Sequence, residues 1–466
     1  MPPIAPALAL LLTATSGIDY DSMAKEARAI LTELVAADTT NPPGNEAKAV
    51  ALVAKRLKAA NIPFEVSTFA KGRDNLVARL GGDGSAKPVL LLAHLDVVGT
   101  KDQTWATPPH VVTEKSGYLY GRGVEDDLGM AAVDLSLILA LKRAKVPLHR
   151  DLIVAFTGDE ESGGAGARWL IAHKKSSIAA EVAFNEGGGP LLGEDGKVGL
   201  LQVQTTEKTY QDFKLSADGI TGHSSAPLPH NAIDEVARAL VEIADHPFPE
   251  RLLPVIEAFF GGRAEFESDE VGDALSRIAH AKGDLPGDAL AVIRQKPSLE
   301  ALLHTTCTPT IFSAGTRVNA LPSKAEVNLN CRIMPDETVD SVKDKLQDMA
   351  GTLVKVQPAA EFGSGPASPL DGPGPQAVLT AGRAMWPKVK IAPTMSAGAD
   401  DSRFLRAADI RAYGFGPIPM TDADGRRAHG IDERIPVSGL RTGVELFEKL
   451  IATLNVPAPP PPPPTL

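Results

Sequence analysis

Read from the N-terminus, apolar positions recur first at helical spacing and then in short unbroken runs. Ser22–Ala36 and Glu46–Ala60 each carry an apolar stripe at three- and four-residue intervals, which predicts two amphipathic helices, the second entered through a Pro-Pro-Gly turn. Val89–Ala93 and Leu152–Phe156 are continuous apolar runs of strand length, and they predict strands covered on both faces of a sheet. This alternation, from about Asp19 to Gln204, is the pattern of an α/β domain.

Near Thr209 the pattern changes. Strand Gln211–Ala217, helix Asn231–Ala244, strands Thr310–Ser313 and Glu326–Ile333, helix Thr338–Met349 and strand Val354–Pro358 follow in the order βα, ββ, αβ, which predicts a compact ferredoxin-like sandwich inserted into the first domain. Between its first helix and second strand lies Pro247–Thr306, with helical patches at Leu252–Phe260 and Asp273–Ala281, read as an elaboration of the insert. From Gln376 the chain returns to α/β character, with helices at Gln376–Met385 and Val437–Leu454. The expected layout is a catalytic domain in two pieces, 18–207 and 365–455, around an inserted domain, 208–364, with the helical elaboration at 247–306.

Length and composition agree with this division. A chain of 466 residues exceeds one ordinary core, and 43% hydrophobic with 23% charged residues is the balance of a globular protein. Forty-seven Lys and Arg against 58 Asp and Glu leave a formal charge of -11, which argues against nucleic acid as a partner. Two cysteines, Cys307 and Cys331, exclude a disulfide framework and a thiolate zinc site; buried free thiols are preferred here to a single disulfide. Residues 1–17 hold an apolar run, Ile4–Leu12, followed by Ala14, Ser16 and Gly17, which resembles an export signal although no Lys or Arg precedes Lys25. Export to a periplasmic or secreted location is the expectation, with a cytoplasmic location as the alternative. Residues 456–466 form a proline-rich tail expected to be extended.

Candidate chemistry gathers where the buried strands end, as it does at the C-terminal edge of a parallel sheet. After the first run come His94 and Asp96, two residues apart and so on one side of an extended segment. Glu125, Asp126 and Asp127 stand after glycines, ahead of the apolar helix Met130–Leu141. Glu160 and Glu161 follow the second run, Glu186 follows Val182–Phe184, and His429 lies far downstream. Each has an ordinary explanation taken alone: a hydrogen-bonded pair, acids capping a helix, a solvated turn, a surface histidine. Together His94, Asp96, Asp126, Glu161, Glu186 and His429 supply enough oxygen and nitrogen donors for two ions bridged by one carboxylate. Without sulfur, such a set fits two Zn2+ ions, with Mn2+ or Co2+ as substitutes.

In this order, HLDVV from His94, GRGVEDD from Gly121, GDEESGG from Gly158, NEGG from Asn185, GHSSAP from Gly222 and AHGIDE from Ala428 resemble the aminoacylase, carboxypeptidase S and glutamate carboxypeptidase family of co-catalytic zinc peptidases, over about Ser22 to Leu454. The resemblance implies a zinc-exopeptidase-like catalytic domain, with a mainly parallel central sheet, interrupted by an inserted ferredoxin-like α+β lid. It implies that Asp126 bridges two metals and precedes Asp127 through a cis peptide. His94 and Glu186 then serve one metal, and Glu161 and His429 the other. Asp96 moves from ligand to the partner that orients His94. Glu160 becomes the general base. His223 would steady the oxyanion, and Asn319, Arg332, Gly398 and Arg403 would bind substrate, with Arg332 taking a free carboxylate. In dimers of the family the histidine matching His223 comes from the neighbouring subunit, so a homodimer through the lid is one arrangement; the 247–306 elaboration standing in for a partner is the other. The family's Lys after the paired aspartates is Leu128 here.

The implied activity is cleavage of an amide bond beside a free carboxylate, on short peptides or N-acyl amino acids, completed by lid closure. Among hydrolases the alternative is a dipeptidase or tripeptidase that recognises a free amino end. A non-catalytic metal- or peptide-binding protein would be expected to have lost part of the set, whereas Glu160, Asp126 and His429 are all kept.

Overall fold

The computed structural model describes residues 17–457 except 194, 268 and 362. The apolar run at 4–12 and nearly all of the proline tail lie outside the described residues. The chain divides into two compact units, one of residues 1–205, 367–394 and 400–466, the other of 206–366 and 395–399.

The first unit is built on a nine-stranded sheet. Its centre is four parallel strands in the order Arg411–Gly414, Val182–Asn185, Val89–His94 and Leu152–Thr157, flanked by antiparallel strands on both sides. Every residue of Val89–His94 and Leu152–Thr157 is buried, as unbroken apolar runs require. The period of two then sorts them. Leu91, Ala93, Val154, Phe156, Val182 and Phe184 join one core, with helices Tyr20–Ala36, Leu128–Ala144 and Val437–Leu454, while Leu90, Leu92, Ile153, Ala155 and Ala183 join a second core on the opposite face. Asp19 caps the first helix by accepting from the backbone N–H groups of Asp21 and Ser22. The acids before Leu128–Ala144 do not cap it: Asp127 stands at the N-cap position and makes no side-chain cap hydrogen bond.

The second unit carries a four-stranded antiparallel sheet in the order Thr306–Ala314, Lys324–Ile333, Thr209–Asp218, Lys355–Glu361. Helix Ala232–Asp245 lies between the first two strands in sequence and Val339–Ala350 between the last two, giving the ferredoxin-like order. Asn231 caps the first helix, and a capping box between Thr338 and Ser341 starts the second. Phe213, Leu215, Val327, Leu329, Cys331 and Ile333 face a core with both helices, which leaves Tyr210, Asn328, Asn330 and Arg332 on the other face. The 247–306 stretch forms short helices, Pro254–Ala264, Asp269–Ala279 and Gly287–Ile293, within this unit.

One expectation is corrected. Cys307 and Cys331 are not free thiols but a disulfide. They are direct cross-strand partners of the antiparallel pair Thr306–Ala314 and Lys324–Ile333, with Cα atoms 4.0 Å apart. Composition shows two cysteines, but only strand register shows that they face each other.

Candidate metal centre

Three neighbouring parallel strands deliver the candidate ligands at one edge. His94 is the last residue of its strand, paired in register with Thr157, after which Glu160 and Glu161 occupy a single 3-10 turn, Glu160–Ser162. Glu186 directly follows Val182–Asn185. Asp126 lies in the turn before helix Leu128–Ala144, joined to Asp127 by a cis peptide. His429 arrives on the loop before strand Arg434–Pro436, with a left-handed φ of 62° that side chains other than glycine adopt at a cost. The tight turn after Glu161 needs glycine at Gly164, where φ is +68° and a Cβ would lie 2.4 Å from the Phe404 ring.

Asp126 is the centre of the arrangement. Its Oδ1 lies 2.9 Å from His94 Nε2, and its Oδ2 lies 3.1 Å from His429 Nε2. Glu186 Oε1 is 3.6 Å from His94 Nε2, and Glu161 Oε2 is 2.9 Å from His429 Nε2. One carboxylate thus turns each oxygen to a different imidazole, and each imidazole has its own glutamate. Ligand atoms of His94, Asp126 and Glu161 lie within 4.8 Å of one another, as do those of His94, Glu160 and Glu186. Glu161 Oε1 and Glu186 Oε1 are buried without a hydrogen-bond partner, which is the condition of oxygens suited to a cation. The donor set therefore fits two divalent ions.

Electrostatics agree. Burial pushes Glu186 and Glu160 well above the carboxylate range, with each other's charge or other nearby acids adding to it. Asp127 is raised chiefly by burial as well. Burial opposes ionisation of Asp126 too, but hydrogen bonds from His429 and His94 outweigh it and hold this carboxyl low. Hydrogen bonds to Asp126 and Glu161 raise His429 to about 10. His94 is raised despite its burial by Glu186, Asp126 and Asp96. Protons on the two imidazoles make the carboxylate cluster tolerable, and cations between the same atoms would take their place.

Asp96 stands beside His94, as the resemblance implies, and its main chain makes the shorter contact. His94 Nδ1 is 2.9 Å from the backbone carbonyl of Asp96, while the carboxylate is 3.6 Å away. The carboxylate instead accepts the backbone N–H groups of Glu160 and Glu161, at 3.1 and 3.2 Å, and the Asn41 amide at 2.8 Å. It orients His94 through its main chain and sets the Glu160–Glu161 turn through its side chain. Arg73 braces that turn by pairing with both Glu46 and Asp159, and Thr157 donates to Asp401 at 2.9 Å. Asn41, Glu46, Arg73 and Asp401 were not found by sequence reasoning, because they lie outside the quoted motifs.

Of the residues expected to meet substrate, Arg403 belongs to the first unit; it is buried, donates to the Asp400 carbonyl at 2.6 Å and lies over the Phe404 ring. His223, Asn319, Arg332 and Gly398 belong to the second unit. His223 is exposed on a two-residue strand paired with Ala320–Leu321, and its Nδ1 accepts from Ser225 N at 3.2 Å. The Asn319 carbonyl accepts from Ser224 N at 3.1 Å. Arg332 lies over the Tyr210 ring, 4.4 Å from its centroid, and donates to Asn330. Gly398 N donates to Ser396 Oγ at 3.0 Å.

Known proteins match this chain over most of its length. The human N-fatty-acyl-amino acid synthase/hydrolase PM20D1 is 30% identical over 393 residues, covering 80% of this chain and 75% of the relative. A probable carboxypeptidase S-like 2 of Dictyostelium discoideum is 29% identical, covering 80% and 72%. A metallo-carboxypeptidase from Sulfolobus solfataricus has the same fold, with a TM-score of 0.69 at 20% identity over 92% of this chain and 98% of that one. A dipeptidase from Saccharomyces cerevisiae follows, with a TM-score of 0.68 at 16% identity over 97% and 99%. Residues 90–453 match the model of peptidase family M20/M25/M40, so the chain belongs to this family and is a metallopeptidase or amidohydrolase of it.

Proposed function

We propose that this protein is a two-zinc hydrolase that releases a C-terminal amino acid from N-acyl amino acids or short peptides. The division of the Asp126 oxygens between His94 and His429 carries the dinuclear reading. His94 and Glu186 would hold one ion, His429 and Glu161 the other, and Asp126 both. Cations held there would polarise the scissile carbonyl and lower the pKa of a bound water. Glu160 would act as the general base toward the attacking water and pass the proton to the departing nitrogen, its main chain fixed by the Asp96 carboxylate. His223 donates to the developing oxyanion, and the Arg332 guanidinium receives the substrate carboxylate as a planar fork. The substrate class is supported by relatives named as an N-fatty-acyl-amino acid synthase/hydrolase and as carboxypeptidase S-like.

The proposal extends to setting. A disulfide at Cys307–Cys331 supports an oxidising compartment, in line with export. Thr306–Ala314 is an edge strand of its sheet with Ile311 and Phe312 exposed, which supports a second copy of the chain as the partner there. Chain recovered from its native cell envelope or medium should be two hydrogens lighter than the reduced form by intact mass and should sediment as a dimer. A reduced, cytosolic monomer would overturn both points.

Three outcomes test the chemistry. Glu160→Gln should keep the metal content while lowering kcat by about 10²- to 10⁴-fold; unchanged turnover removes Glu160 as the base. Arg332→Ala should lower kcat/KM for an N-acyl amino acid by about 10- to 100-fold, the worth of a charged hydrogen-bonded pair, and change little for the C-terminal amide of the same compound. An equal loss on both substrates, or a preference of the unaltered enzyme for free-amine dipeptides, would defeat the carboxylate reading. Finally, hydrogen bonds to Asp126 and Glu161 raise His429 to about 10, and His94 is shifted in the same direction, so the imidazoles hold their protons to higher pH in the metal-free protein. Zinc must displace them, so loading should release protons and the apparent affinity should rise with pH until His429 itself titrates, near 10. Calorimetry in buffers of different ionisation enthalpy measures this, and zero proton release would contradict it.

A further inference from the structure

A second layer of buried polar contacts, which none of the roles above uses, converges on Glu433. The residue is fully buried. Its Oε2 accepts from Arg122 Nη1 at 2.6 Å and from Gly123 N at 3.0 Å, and its Oε1 accepts from the backbone N–H groups of Glu125 and Asp126 at 2.8 and 3.2 Å. Its own carbonyl accepts from Gly121 N at 3.1 Å. One carboxylate therefore gathers the turn that presents Asp126.

The same cluster reaches His429, four residues before Glu433 in the chain. Arg122, also buried, donates through Nη2 to the Gly430 carbonyl at 2.9 Å and to Gln103 Oε1 at 3.1 Å, and it lies over the Trp105 ring. Gln103 Nε2 donates to the His429 carbonyl at 3.1 Å. The left-handed backbone of His429 is thus held at two successive carbonyls, its own and that of Gly430, by side chains tied to Glu433. His94 and Glu186 share none of these contacts: His94 is set by its strand and by the Asp96 carbonyl.

We propose that Glu433 and Arg122 are positioning residues that hold Asp126 and His429 in mutual register, so that the metal position of His429 and Glu161 depends on them through two ligands, and the position of His94 and Glu186 only through the shared Asp126. This rests on the dinuclear reading above. A carboxylate is needed because four N–H donors point at its two oxygens. Glutamine would turn an NH2 group toward two of them. Lysine at position 122 would keep the charge but could not span Glu433 and the Gly430 carbonyl together.

The test is titration of the metal-free, full-length protein with Zn2+ alone, followed by calorimetry, beside a thermal melt. The unaltered protein should take up two equivalents. Glu433→Gln and Arg122→Lys should each weaken one equivalent by about 10- to 100-fold and the other by clearly less. Gln103→Leu, which touches only the outer side of the cluster, should weaken the same equivalent by less, with no shift in melting midpoint, and so tests the idea even where Glu433→Gln fails to fold. Equal weakening of both equivalents, or of neither, in Arg122→Lys and Gln103→Leu would overturn the proposal. Uptake of fewer than two equivalents by the unaltered protein would instead overturn the dinuclear reading itself.

Discussion

The structure is organised around the burial of many carboxylates in one place. Asp96, Asp126, Asp127, Glu160, Glu161 and Glu186 come together at the ends of three parallel strands, and burial pushes most of them toward their neutral forms. Two unit charges 4 Å apart interact by about 4 kcal/mol at an effective dielectric near 20. Such a cluster is tolerable only if positive charge stands between its members. The two imidazoles, each hydrogen-bonded to one oxygen of Asp126, mark where that charge belongs.

Holding repelling groups at fixed distances demands a rigid frame, and the frame uses neighbouring polar groups to supply it. Asp96 spends its carboxylate on the backbone of Glu160 and Glu161 rather than on a cation. Arg73 joins Glu46 to Asp159 beneath the same turn. Strands buried on both faces carry the load from below, since a shift of Val89–His94 would disturb two cores at once. The site is therefore anchored by packing on its strand side and by hydrogen bonds on its loop side.

This division explains what was legible in the sequence. Val89–Ala93 and Leu152–Phe156 were readable as buried strands because their apolar content is continuous, and the clustering of the candidate ligands after them was readable because they stand at strand ends. The ferredoxin-like order could be followed from alternating positions such as Val327, Leu329 and Cys331. The disulfide was not readable, since Cys307 and Cys331 are 24 residues apart and only register brings them face to face. The second task of the Asp96 carboxylate was unreadable for a similar reason: spacing puts it beside His94, but the amides of Glu160 and Glu161 that it also receives lie 64 and 65 positions away. Glu433 stood inside a quoted motif, yet the three amides it receives lie more than 300 positions away.

The two histidines show why such distant contacts are needed. His94 is 1% exposed and ends a strand hydrogen-bonded in register, so its position follows from the sheet. His429 has a side chain 56% exposed and a left-handed backbone in a loop, so no secondary structure determines where it points. A loop can be placed as accurately as a strand only when side chains fix its peptide groups individually. The buried Arg122–Glu433 pair spends a large desolvation cost to do so, which is reasonable only where position matters more than stability. In this protein that place is the gap between Asp126 and His429.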